Sequence, residues 1–247
     1  MTTRIPGRRL ALLAAVAAGL VAASTTPSPA NAASPGTGGS LHPAHNRVHS
    51  DEIWGGYTAY GSTFHSISAT WNIPALDCSA NRGIASPWVG LDGWDSSTVE
   101  QIGIDFDCTT GRAQYKPWVE MYPQDSIYFT NTVRAGDSMT GSVTDDGGHW
   151  FTLTLTDSTQ GWTKTFSKYL ASSRSVNAEA IIEPIGGGNV PKLARFDALR
   201  FTDVTVDGHP IGDVSTHRSA VTRGTTTLAT TGSLSGGAAF TVSWQHS

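Results

Sequence analysis

Four short segments carry side chains with chemistry to offer. In TVEQIGIDFD (98–107) an amide, Gln101, and a carboxylate, Asp105, share one face of an alternating pattern whose other face holds Ile102, Ile104 and Phe106. In PWVGLDG the same alternation sets Trp88, Gly90 and Asp92 against Val89 and Leu91; in KPWVEMYP it sets Trp118, Glu120 and Tyr122 against Val119 and Met121. In NAEAIIEP, Asn177, Glu179, Ile181 and Glu183 oppose Ala178, Ala180 and Ile182. One face of each is core, and the other faces together gather Trp88, Asp92, Gln101, Asp105, Trp118, Glu120, Tyr122 and Glu179. Flat aromatics among carboxylates and an amide suit a groove for an extended polymer, either polypeptide or polysaccharide. The same faces read equally as the solvated side of a half-exposed antiparallel sheet.

Other catalytic arrangements find little support. There is no G-x-S-x-G elbow, no HExxH, and no glycine-rich phosphate loop between a strand and a helix. Glu179 and Glu183 share a strand face, as glycosidase carboxylates would. Four residues along a regular strand separate Cα atoms by about 13 Å, whereas a retaining pair needs carboxyl groups roughly 5 Å apart.

The elements that must position these residues are strands throughout. WFTLTLTD (150–157) alternates Phe151, Leu153 and Leu155 with threonines, and similar runs occur in SISATWNI, QYKPWVEMY, SMTGSV, TKTFSKYL, LRFTDVTV, TTTLATT and AFTVSW. Gly, Asp, Asn or Pro punctuate nearly all of them, and no segment sustains a 3.6-residue apolar stripe. A dozen or so strands in one domain, residues 53–247, imply an all-β fold of two packed antiparallel sheets.

The N-terminus reads as an address. Arg4, Arg8 and Arg9 precede an apolar stretch, Leu10 to Ala23, that is too short to span a bilayer, and Ala30-Asn31-Ala32 is a small-residue cleavage site. Residues 1–32 are thus expected to be a signal peptide for general secretion, giving a secreted, extracellular protein with no membrane span. Residues 33–52, rich in Gly, Pro, Ser and His, read as a flexible arm; His42, His45 and His49 lack the carboxylates and supporting partners of a metal site. Without residues 1–32 the net charge is near −7, which disfavours nucleic acid as a partner. Only 15% of the chain is charged, compatible with acidic surroundings. Absence of a long exposed apolar stretch suggests a monomer.

Cys78 and Cys108 are the two cysteines of an exported chain. A disulfide between them would close a loop of about thirty residues and stabilise by roughly 3 kcal/mol. A catalytic thiolate is the other reading and would need an activating His in an oxidising compartment.

ATWNIP (69–74), WVGLDG with VEQIGIDF (88–106), WVEMYP (118–123) and NAEAIIEP (177–184) together resemble the glutamic peptidases, or eqolisins, in order and spacing. The likeness runs from about Trp54 to Gly208. It implies a concanavalin A-like sandwich of two large antiparallel sheets and a pepstatin-insensitive acid endopeptidase acting on polypeptides, with no metal or cofactor. By local match the family's catalytic Gln and Glu fall on Gln101 and Glu179. Trp88, Asp92, Trp118 and Glu120 fall on positions lining or supporting the groove, where Asp105 and Tyr122 join them. In the implied mechanism Glu179 takes a proton from the attacking water and returns it to the leaving nitrogen. Gln101 holds that water and donates to the oxyanion, and an amide does so independently of pH.

The chain departs from fungal members, which have Trp in place of Ala180 and Met121. Alternation points both away from the groove. Only about twenty residues separate the cleavage site from the domain, which disfavours a large pro-segment. A glycoside hydrolase or lectin on a similar sandwich, or a binding module that keeps the groove without the chemistry, are the competing functions.

Overall fold

The structure, a computed structural model, describes residues 1–2, 53–186 and 191–246. The expected signal peptide, apart from Met1 and Thr2, and the expected arm with His42, His45 and His49 lie outside the described residues. Of two compact units, Met1–Ser40 and Leu41–Ser247, the second carries the strands.

These begin with β1 (Gly55–Ala59), β2 (Ser66–Asn72), β3 (Ile84–Asp92), β4 (Val99–Asp107), β5 (Gln114–Tyr122) and β6 (Ile127–Tyr128). β7 (Ser138–Gly147), β8 (Trp150–Asp157) and β9 (Trp162–Tyr169) form a meander, followed by β10 (Ala178–Pro184), β11 (Ala198–Val206) and β12 (His209–Pro210). The last are β13 (Thr216–Ser219), β14 (Val221–Arg223), β15 (Thr226–Thr231) and β16 (Phe240–Trp244). They make a seven-stranded sheet, β13-β1-β10-β3-β4-β5-β6, and a nine-stranded one, β14-β15-β16-β11-β2-β7-β8-β9 with β12 beside β11. All pairings are antiparallel. The all-β, two-sheet architecture expected from alternation is the one found.

Where alternation is clean the burial follows it. In β8, Phe151, Leu153 and Leu155 are buried and the threonines between them half-buried. The edge strand β9 is largely exposed and carries Lys164 and Lys168, charges that blunt an otherwise open edge. Between the sheets lies the main core, including Trp71, Val89, Ile102, Ile104, Phe106, Val119, Leu153 and Phe201. Met121 and Ala180 belong to it, on the side away from Gln101 and Glu179, as their alternation requires.

The second face of the seven-stranded sheet differs from a half-exposed surface. β3, β4 and β10 are buried at every position. A separate apolar cluster of Ile53, Trp54, Trp88, Val99, Trp118 and Ile181 covers that face, with Trp94, Tyr122 and Tyr128 against it. Period-2 polarity usually marks one wet face; here the polar side chains are buried, with Gln101 bound to Glu120 and Asp105 to Ser86. The Cys78–Cys108 disulfide is formed, tying the segment after β2 to the end of β4. Among the described residues no helix is long and apolar enough to cross a membrane.

Candidate active site

The register of the seven-stranded sheet builds one cross-strand row. Thr58 of β1 faces Glu179 of β10, Glu179 faces Gly90 of β3, Gly90 faces Gln101 of β4, and Gln101 faces Glu120 of β5. Directly paired residues project to the same side of a sheet. Glu179 and Gln101 are therefore two strands apart, about 10 Å between backbones, with nothing but glycine between them. A Cβ at Gly90 would come within 2.9 Å of the Trp88 ring and 3.1 Å of Gln101 Cβ, so the floor of this gap has room only for hydrogen.

Gln101 is aimed by Glu120. Its Nε2 donates to Glu120 Oε2 at 2.5 Å, and Glu120 Oε1 accepts from Ser126 Oγ at 2.9 Å. An ionised carboxylate only accepts, which fixes the nitrogen end of the amide and leaves its second N–H for another acceptor. Gln101 Oε1, both carboxyl oxygens of Glu179 and Thr58 Oγ1 are buried without a hydrogen-bond partner. Buried polar atoms left unpaired are costly, and these four lie in one row.

Burial holds the Glu179 carboxyl well above the usual carboxylate range, and the nearby acids, Asp92 foremost, push it further the same way. The backbone N–H of Trp94 opposes this, without reaching hydrogen-bond geometry at either oxygen. A carboxyl so raised binds a proton readily, which is the property a general base requires.

The other sequence-derived residues surround this row as supports. Asp92 takes a left-handed φ of 67°, which breaks the strand alternation and turns its carboxylate toward the chain before β10. There it accepts from the backbone N–H groups of Arg174, Ser175 and Val176 at 2.7, 2.9 and 2.9 Å, fixing the approach to Glu179. Asp105 accepts from Ser86 Oγ at 2.7 Å and Tyr128 OH at 2.6 Å, and Ser86 Oγ accepts from Trp118 Nε1 at 3.0 Å. Trp88 and Trp118 are fully buried, so they are walls rather than open platforms; Tyr122 is half-buried at the rim. The Glu183 carboxylate accepts from Trp54 Nε1 and Trp88 Nε1, each at 3.0 Å. It is thereby engaged as a clamp on two indoles and is not the second carboxylate of a glycosidase pair.

Similarity to known proteins runs over nearly the whole of this unit. The match to the peptidase A4 family covers residues 52–244. The chain belongs to this family. Scytalidopepsin B of Scytalidium lignicola is 35% identical over 173 residues, covering 64% of this chain and 65% of the relative. Aspergillopepsin-2 of Aspergillus niger is 26% identical over 186 residues, covering 64% of this chain and 66% of the relative. The chain thus spans just under two thirds of the length of these curated relatives. Among solved structures, scytalido-glutamic peptidase with a transition state analog inhibitor superposes with a TM-score of 0.69 at 29% identity, covering 78% of this chain and 98% of that one. These matches bear out the resemblance to the glutamic peptidases read from the four segments.

Several members of this cluster escape sequence reasoning. Trp54, Ser126 and Tyr128 reach it from segments with no distinctive pattern, whereas Ser86 lies two residues before Trp88 on the same alternating face of β3. Glu100 had a signal: it is a carboxylate at an even position of β4, on the face shared by Ile102, Ile104 and Phe106. Among the described residues no group of three His, Cys, Asp or Glu is placed to hold a metal.

Proposed function

We propose that this chain is a secreted acid endopeptidase in which Glu179 is the general base and Gln101 the oxyanion donor. The observation that carries the reading is the row Glu179, Gly90, Gln101, Glu120: a raised, unpartnered carboxyl and an oriented amide facing one another across a glycine. A water over Gly90 is within reach of both side chains. Glu179 takes its proton as the oxygen attacks the scissile carbonyl, and the spare N–H of Gln101 Nε2 donates to the oxygen that becomes negative. Glu179 then returns the proton to the leaving nitrogen, so no covalent intermediate forms and the enzyme ends as it began. Similarity to scytalido-glutamic peptidase bound to a transition state analog supports the assignment.

The centre differs from an aspartic dyad, in which two carboxyls share one proton. An inhibitor built for that dyad, such as pepstatin, has no equivalent target here. The test is digestion of a denatured protein from pH 2 to 7 with pepstatin present, beside a panel of polysaccharides. Peptide fragments and intact polysaccharides are expected; sugar release without proteolysis would move the chain to the glycosidase reading.

A further inference from the structure

Glu100 is a buried carboxyl group to which the fold gives no hydrogen bond of normal geometry. It lies on the interior side of β4, flanked in register by Leu91 and Met121 of the main core, is fully buried, and neither of its oxygens accepts a hydrogen bond from a protein donor of normal geometry. The side chain that its carboxyl lies against is that of Asp92, a second acid. Two carboxyls in contact inside a protein are held together by a proton on one of them. Asp92 already accepts from three backbone N–H groups and, at 3.3 Å, from Thr98 Oγ1, so its oxygens are occupied as acceptors. The proton therefore resides on Glu100.

Through Asp92 this contact reaches the catalytic row. The segment that Asp92 grips contains Ser175, held at a φ of 53° that a non-glycine residue adopts only under constraint. It then passes through Asn177, whose carbonyl accepts from the Asp92 N–H at 3.0 Å and whose Oδ1 accepts from Asp95 N at 2.8 Å, and two residues later delivers Glu179. We propose that Glu100 is a positioning residue of the peptidase site: its O–H donates to Asp92 and so fixes the segment 174–178 that sets Glu179 opposite Gln101. Loss of that proton would place a second charge against Asp92 and loosen the same segment.

The groups facing Glu100 support this assignment. Asp92 at the end of β3 is the largest influence after burial; burial and Asp92 together push Glu100 up to about 9, with Thr98 opposing. From β10, Glu179 lies within electrostatic reach, and Asp95 in the β3–β4 connection acts on Glu179 as well. Asp145 of β7 grips the same segment by accepting from Ser175 Oγ at 2.7 Å. β5 contributes the apolar Met121 beside Glu100.

The experiment compares wild type with Glu100→Gln, whose amide donates to Asp92 at every pH, and Glu100→Leu, which cannot donate. Unfolding is followed by tryptophan fluorescence from pH 4 to 10, and kcat and KM are measured on one peptide at pH 5. Glu100→Gln is expected to raise the alkaline unfolding midpoint by about one pH unit or more. Glu100→Leu is expected to lower kcat about tenfold with KM nearly unchanged, and Gln to recover most of that loss. An alkaline midpoint unmoved in Glu100→Gln, or a folded Glu100→Leu with wild-type kcat, would overturn the proposal; if the Leu variant does not fold, the Gln variant decides alone. The kinetic half rests on the peptidase reading and the unfolding half does not, so failure of one is distinguishable from failure of the other.

Discussion

Glu179 and Gln101 are each paired in register with the same residue, Gly90, one from either side. The carboxyl and the amide thus stand in one row of a rigid sheet, and their separation is set by strand spacing rather than by a loop. The glycine supplies the gap, and Glu120, next in the row, turns the amide.

Gly90→Ala tests the gap. The added methyl meets the Trp88 ring, Gln101 Cβ and the Glu100 carbonyl oxygen within 2.9 to 3.1 Å, in a fully buried strand. A stability loss of about 1 to 3 kcal/mol is expected from overpacking. Activity of the folded fraction should fall more than tenfold, since small displacements of catalytic groups are costly. Urea titration and active-fraction kinetics measure the two separately.

Glu120→Ala tests the aim of the amide. Without its acceptor, Gln101 Nε2 is free to rotate away from the developing oxyanion. Removing an oriented donor costs roughly 10²-fold in kcat where the donor acts only in the transition state. A fall in kcat with KM held is the expected pattern; a KM effect alone would assign Glu120 to substrate binding.

Asp95→Asn tests the electrostatics of the base. Asp95 is exposed, and its charge is one of those raising Glu179. Only the ionised carboxyl accepts a proton, so the acidic limb of kcat/KM is expected above 4.5. Removing a like charge lowers that value, and the limb should move to lower pH, by a small step because solvent screens an exposed charge. A shift to higher pH would contradict the assignment of the limb to Glu179.

Stability should be greatest in mild acid. Glu100 keeps its proton up to about 9, while in the unfolded chain it would release it near 4.5, so between these values the folded protein binds more protons and loses stability as pH rises. Glu179 acts in the same direction. On the acid side, burial raises Asp107, but hydrogen bonds from Lys116 and Thr109 outweigh it and hold the group below its ordinary 3.8. Its contribution is present above that value and disappears as pH falls through the lowered one. Unfolding free energies from urea titration at pH 5 and pH 8.5 should differ by an amount on the order of several kcal/mol in favour of pH 5. A flat or rising profile would mean the buried acids are relieved by structural relaxation.

Much of this was legible in the strands. β4, β8 and β10 alternate so cleanly that their core faces, and the shared side of Gln101, Asp105, Glu179 and Glu183, follow from period 2 alone. What alternation could not supply was register, which depends on turn lengths and side-chain fit across the sheet. That Gly90 lies between Glu179 and Gln101 is a statement of register. Burial of the outer face was also hidden, because Trp54 and Trp94 reach it from irregular segments. Asp92 left its expected face through a positive φ, a conformation ordinarily favoured by glycine. Glu100 broke the apolar pattern of β4 in plain view and found its explanation only in the contact with Asp92.

The most direct measurement is kcat/KM for a single peptide in wild type, Glu179→Gln and Gln101→Ala, each shown to fold by circular dichroism. The expected result is loss of at least about 10³-fold in each variant with peptide binding retained, because the base and the oxyanion donor act in the transition state. Activity of a folded Glu179→Gln variant within about tenfold of wild type would contradict the account, since no general base would then stand where the row places one.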